Sequence, residues 1–388
     1  MSIESRLPAA PASPVVEGAT SFAFDLYDQL KAAPGNLFFS PYSISTCLAM
    51  TCAGARGETE KQMAGALHLE GDPAQVHAAF GQLQQQSASA GKQKGVELNV
   101  ANALWAQQGH PFLPAFLNIA RKDYQANVNQ ADFKTASAAV IRQVNDWVAE
   151  RTKDKIKEIL PAGSVDAQTR LVLANAIYFK GLWATPFPPG ATLSAPFHLG
   201  PGSDVKASLM HRTGTMRYME GDAYQAVEVP YSGNQLALVI LLPRAVDGLN
   251  KLEGDLSPAF LSATLTGLKE QPVDLFVPSF EMSSSFALGN VLKTLGMADA
   301  FGPAADFSGM DGARDLFISH VFHKAWVEMN EKGTEAAAAT ATVMTRHAIA
   351  RPLTPPVVFR ADHPFVFLIR DTQSDAVLFL GRLANSGK

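Results

Sequence analysis

Cysteine is almost missing from this chain: Cys47 and Cys52 are the only two among 388 residues. They fall in one helical segment, roughly 140° apart around its axis, and so point different ways and do not pair. A disulfide-stapled fold is excluded, and the expected state is two buried thiols packing as small hydrophobes, which leaves the redox compartment open. Charge of either sign is also scarce in runs. Formal net charge is −4, and no stretch of five or six like charges occurs. Neither a nucleic-acid stripe nor a polybasic membrane patch is indicated, and Lys92 with Lys94 are too few for a heparin-type activator site. Long apolar runs are absent too: Leu236 to Leu242 is far shorter than a bilayer-spanning helix requires.

Catalytic signatures are equally wanting. There is no Gly-x-Ser-x-Gly elbow, no His-Glu-x-x-His and no phosphate-cradling Gly-x-x-x-x-Gly-Lys-Ser/Thr. Gly200-Pro-Gly-Ser-Asp-Val205 lacks a third glycine and a following helix. His320 and His323, three apart on a strand, project from opposite faces and cannot close on one ion. No enzyme, cofactor or metal is expected from these patterns.

What the chain does have is apolar periodicity from about Phe22 to Leu383 without a compositional break, which favours one large body. A helix is predicted through Phe22, Leu26 and Leu30, and a second after Ser40-Pro41, where Ser40 caps and Pro41 opens it. Pro8, Pro11 and Pro14 read as turn formers in an N-terminal arm, 1–16, that holds no apolar core of secretory-signal length. Short helices are predicted over Glu58–Leu67 and Ala74–Gln84, and Val96, Leu98 and Val100 alternate as a half-buried strand. Val140, Val144, Trp147 and Val148 form one helical stripe that should lie on something flat. From Arg170 to Trp183 the chain is nearly all apolar, the pattern of a central strand buried on both faces. Asn175 interrupts it, and a buried amide there is expected to tie neighbouring strands together. Ser232-Gly-Asn234 marks a hairpin before Leu236, helical periodicity returns over Leu249–Leu268 and Ser284–Leu295, and Val273–Phe280 and Leu316–Met329 read as strands. This mixture without strict alternation predicts a mixed α/β (α+β) fold with antiparallel sheets.

Five segments carry a resemblance in the same order: Asn36-Leu-Phe-Phe-Ser-Pro-Tyr-Ser-Ile-Ser45, Gly54-Ala-Arg-Gly-Glu-Thr59, Asn175-Ala-Ile-Tyr-Phe-Lys-Gly-Leu-Trp183, Glu331 to Thr340, and Phe359 to Ile369. Together they resemble the serpin family over nearly the whole chain. The resemblance implies three β-sheets, eight or nine helices, a single domain over 17–388 and an exposed reactive-centre loop at about 331–356. It implies a monomer that acts on a target serine protease, with no catalytic residue of its own. Ser40, Ser43, Asn175 and His323 match the family's shutter, Trp183 its breach, and Glu331, Gly333, Thr334, Ala336, Ala337, Ala338 and Ala339 its hinge. The helix from Thr135 to Thr152 would cross the central sheet. For localisation the family implies an extracellular setting, while the missing apolar leader leaves a cytoplasmic one open.

The loop's residues suit insertion as a strand. At a period of two, Thr334, Ala336, Ala338, Thr340 and Thr342 share one face and are small, while Glu335 falls on the other. No proline precedes Pro352, so every N–H that a central strand must donate is present. Family spacing puts the scissile bond near His347-Ala348. Arg346 is the only Lys or Arg between Lys332 and Arg351, which points to cleavage after Arg346 by a trypsin-like protease; Val343, Met344 and Ala348 would instead suit elastase- or subtilisin-like ones. Two features depart from the pattern: Pro352, Pro355 and Pro356 in a lengthened segment, which would stiffen the loop or shift the cleavage register, and Ser279 where some relatives carry a lysine that pairs with Glu331, which predicts a looser hinge. The competing expectation is a non-inhibitory serpin that acts as a binding or carrier protein.

Overall fold

The computed structural model describes residues 13–334 and 355–387. Among them run ten α-helices: α1 (Pro14–Leu30), α2 (Pro41–Cys52), α3 (Gly57–Ala66), α4 (Pro73–Ala90), α5 (Pro114–Lys122), α6 (Phe133–Arg151), α7 (Leu249–Asp255), α8 (Pro258–Gly267), α9 (Gly289–Thr294) and the single turn α10 (Ser308–Asp311). The strands are β1 (Leu37–Phe39), β2 (Val96–Gln107), β3 (Asn127–Ala131), β4 (Leu171–Leu182), β5 (Leu193–Gly200), β6 (Ser203–Glu220), β7 (Tyr224–Pro230) and β8 (Leu236–Pro243). They continue as β9 (Lys269–Pro278), β10 (Phe280–Ala287), β11 (Ile318–Asn330), β12 (Gly333–Thr334), β13 (Val357–Arg360), β14 (Phe365–Asp371) and β15 (Val377–Leu383).

Proline placement sets many helix starts. Ser13-Pro14, Ser40-Pro41, Asp72-Pro73 and Ser257-Pro258 each put a capping oxygen before a proline in the first turn, where no N–H is needed. Pro14 thus opens α1 rather than a turn, and the first helix begins eight residues before Phe22, inside the segment read as an N-terminal arm. Ser284 to Ala287, expected to be helical, belongs to strand β10, because its backbone pairs with Ala325, Lys324, His323 and Phe322 of β11. Local period lost there to a tertiary ladder. Only Gly289–Thr294 of that stretch is helical.

One sheet has the order β10-β11-β12-β4-β2-β3. The other nine strands are joined through the long β6, which pairs with β5 and β9 along most of its length and with β7 only over Arg217–Glu220. These two limbs and the six-stranded sheet make three sheets. Ile177 and Phe179 of β4 pack with Leu238, Ile240 and Phe367 between layers. On the opposite face, Val140, Val144 and Val148 of α6 cover Ala101, Ala103, Ala174 and Ala176. Alanines on the strands let the helix lie close, as its stripe predicted.

Candidate functional site

The six-stranded sheet is open at one end. β4 and β11 run parallel and pair from Leu171↔Ile318, the foot, to Tyr178↔Trp326. Beyond Trp326 they part, and β12 lies between them, Thr334 opposite Met329 on one side and Gly181 on the other. Gly333 holds φ +149, and a Cβ there would stand 2.0 Å from the Gly181 carbonyl oxygen, so no larger residue fits this entry. Thr334 is fully buried, and its Oγ1 lies 3.0 Å from the hydroxyl of Tyr231.

The backbone before β12 is held by the segment after β4. Trp183 donates its indole N–H to the Asn330 carbonyl at 2.9 Å and its backbone N–H to Lys332 at 2.9 Å, and Phe187 N–H reaches the Glu331 carbonyl at 2.8 Å. The Trp183 ring stacks on Tyr231 with centroids 4.7 Å apart. Gly181 makes room, since a Cβ there would meet the Tyr231 ring at 2.6 Å. Glu331, expected to be loose without a lysine at 279, accepts a 2.7 Å hydrogen bond from Thr192 Oγ1. The Thr192 hydroxyl therefore holds this carboxylate in place of a lysine.

Midway down, Asn102, Asn175 and His323 stand side by side on β2, β4 and β11. The N-terminus of α2 sits on this row. Ser40 N–H donates to His323 Nε2 at 3.1 Å, which fixes the proton on Nδ1, and Nδ1 donates to Asn175 Oδ1. The two N–H groups of Asn175 Nδ2 are shared among three acceptors, Ser43 Oγ at 2.6 Å, Ser43 O at 2.9 Å and Asn102 Oδ1. Ser40 Oγ donates to Leu378 of β15 at 2.6 Å, and its oxygen caps Ser43 N–H at 3.1 Å. One chain of hydrogen bonds thus joins three strands, a helix and the second sheet. Burial drives the His323 pKa down to about 3, so the imidazole is neutral. His320, on the other face, stacks on Phe322 instead.

Ser40, Ser43, Asn175 and His323 therefore converge, while Trp183 gathers at the open end with Glu331, Gly333 and Thr334. Ala336, Ala337, Ala338, Ala339, Arg346, His347 and Ala348 lie outside the described residues. Asn102, Tyr231 and Thr192 were missed by sequence reading. Asn102 carried a signal: it falls in phase with Val96, Leu98 and Val100, a polar residue where the buried face repeats. Tyr231 and Thr192 offered none.

Comparison with known proteins follows this geometry. The family model described as Serpin (serine protease inhibitor) matches residues 17–386. Leukocyte elastase inhibitor of Sus scrofa is 41% identical over 376 residues, covering 94% of this chain and 98% of its own. An uncharacterized serpin-like protein of Thermococcus kodakarensis is 38% identical, covering 96% of this chain and 86% of its own. Among solved structures, uncleaved ovalbumin superposes with a TM-score of 0.88 at 29% identity, over 96% of this chain and all of that one. Human thyroxine-binding globulin with thyroxine gives 0.86 at 29%, over 96% and 99%. By family model, relatives and fold alike, this chain belongs to the serpin family.

Proposed function

We propose that the protein inhibits a serine protease as a suicide substrate, with Arg346 as the residue after which a trypsin-like enzyme cuts. The observation that carries this is the open end of the sheet, where Gly333 and Thr334 already occupy the position of a strand between β11 and β4. Below them the two neighbours share eight parallel pairs. Continuing the insertion replaces that one ladder by two antiparallel ones, and the residues that follow, Ala336 to Ala339, are small enough to slide under α6. A net gain of about one hydrogen bond per inserted residue, at ~1 kcal/mol each, favours insertion by roughly 10 kcal/mol over about a dozen residues. The uncut chain is then kinetically trapped by the Asn102–Asn175–His323 row.

In the reaction, the protease's serine oxygen bonds to the Arg346 carbonyl carbon and the amine of His347 leaves. Insertion drags the acyl-linked protease toward the foot before water can release it. An elastase-like target is the variant that Val343, Met344 and Ala348 would serve, and leukocyte elastase inhibitors stand among the relatives.

Incubation with trypsin and a denaturing gel should show a covalent band at the summed mass. Cleaved chain with free protease refutes the reading and favours a binding or carrier role, for which thyroxine-binding globulin is the neighbour that holds a ligand. Cutting the loop with an unrelated protease separates the two further: insertion raises the melting temperature steeply, and a carrier's stays unchanged.

A further inference from the structure

Three side chains converge at the foot of the six-stranded sheet, at the far end from the hinge. His110 follows the end of β2 by three residues, and Asp311 and Asp315 precede β11. In the sheet order these lie on opposite sides of the line between β4 and β11. His110 Nδ1 stands 2.8 Å from Asp311 Oδ2 and 3.7 Å from Asp315 Oδ1, and all three ligand atoms fall within 4.8 Å of one another.

The donors are held by structure around them. Gly312 at φ +86 reverses the chain after α10, and Ala313 N–H takes Asp311 Oδ1 at 2.9 Å, leaving Oδ2 for His110. The His110 carbonyl accepts from Gln130 Nε2 at 2.7 Å, and Leu113 N–H donates to Met310 O at 2.7 Å. Asp311's side chain is 1% exposed and Asp315's 69%, so the set has a buried wall and an open mouth. The neighbouring cation Arg314 is drawn off to Asp306 at 3.0 Å and does not neutralise the pair. In a tetrahedral zinc site with bonds of about 2.0–2.1 Å, ligand atoms sit roughly 3.3 Å apart, a spacing that 2.8 and 3.7 Å bracket.

We infer that His110, Asp311 and Asp315 form a site for a divalent first-row cation of the zinc class, and that the occupied site clamps the foot of the fissure between β4 and β11. One neutral imidazole and two carboxylates balance the ion's charge, and water at the exposed mouth completes the shell. Binding would replace the direct His110–Asp311 contact by bonds from Nδ1 and Oδ2 to the ion. The clamping consequence rests on the insertion reading above, because a strand that reaches the foot must separate β11 from β4 there. If the ion must leave first, insertion slows by one plus the ratio of free ion to Kd, about tenfold at ten times Kd.

Titration of the full chain with zinc chloride by calorimetry should give one saturable site, weakened at least about tenfold in His110→Ala and in the surface variant Asp315→Ala. No saturable site, or equal binding by the variants, overturns the assignment; this readout does not involve a protease or insertion. Annealing of a synthetic peptide of residues 334–347 into the sheet, followed by tryptophan fluorescence, should slow with zinc in the wild type and not in Asp315→Ala. Zinc binding that leaves the annealing rate unchanged overturns the clamp.

Discussion

Protonation of His323 should loosen the sheet, and the effect has a calculable size. In the folded chain its pKa lies near 3 because the ring is wholly buried, against 6.5 for an exposed imidazole. Above 6.5 both states are neutral, and the residue adds no pH dependence. As pH falls below 6.5 the unfolded chain takes up a proton that the folded chain refuses, so stability drops until about pH 3. At about pH 5.5 the loss is about 1.4 kcal/mol, at about pH 4.5 about 2.7 kcal/mol, and its limit is ~5 kcal/mol. His77 and His320 are also lowered by burial and add to the same window. Comparison with His323→Gln cancels them. Urea unfolding followed by tryptophan fluorescence, between about pH 7.5 and 4.5, should show the wild type losing about 2–3 kcal/mol more than the variant. Equal slopes would refute the reasoning, because they would mean that the imidazole is already accessible to protons in the folded state.

Two further expectations follow from the geometry. Thr334→Arg places a long cation where the side chain is fully buried against Tyr231; it should convert an inhibitor into a substrate, read as loss of the covalent band with cleavage by trypsin retained. Glu228 bonds Arg370 at 2.7 Å and Arg217 at 2.8 Å in a buried network, so Glu228→Ala should leave Arg370 with Asp375 as its remaining carboxylate partner and destabilise the fold by about 1–3 kcal/mol, measured as a fall in denaturation midpoint.

Much of the layout was legible along the chain. A nearly uninterrupted apolar run from Arg170 to Trp183 could only be a strand covered on both faces, and the Val140–Val144–Val148 stripe required a flat partner. Small residues and the lack of proline between Gly333 and Pro352 are the features on which the insertion proposal rests. Helix starts at cap-proline pairs were readable too, although Pro14 was taken for a turn because Phe22 gave the stronger period. Ser284 to Ala287 misled for the opposite reason: its pattern carried a helical period, and only the ladder with β11 made it a strand.

What the chain alone determined, then, is where most helices and strands lie, since those follow from periodicity, capping and side-chain size; the start of α1 and the strand at Ser284–Ala287 are the exceptions. Which residues meet was decided by tertiary structure. Asn102 joins Asn175 and His323 through strand register, Thr192 reaches Glu331 from 139 residues away, and His110 meets Asp311 across 201. A local period tells which face a side chain occupies; only the closed sheet tells what stands on that face beside it.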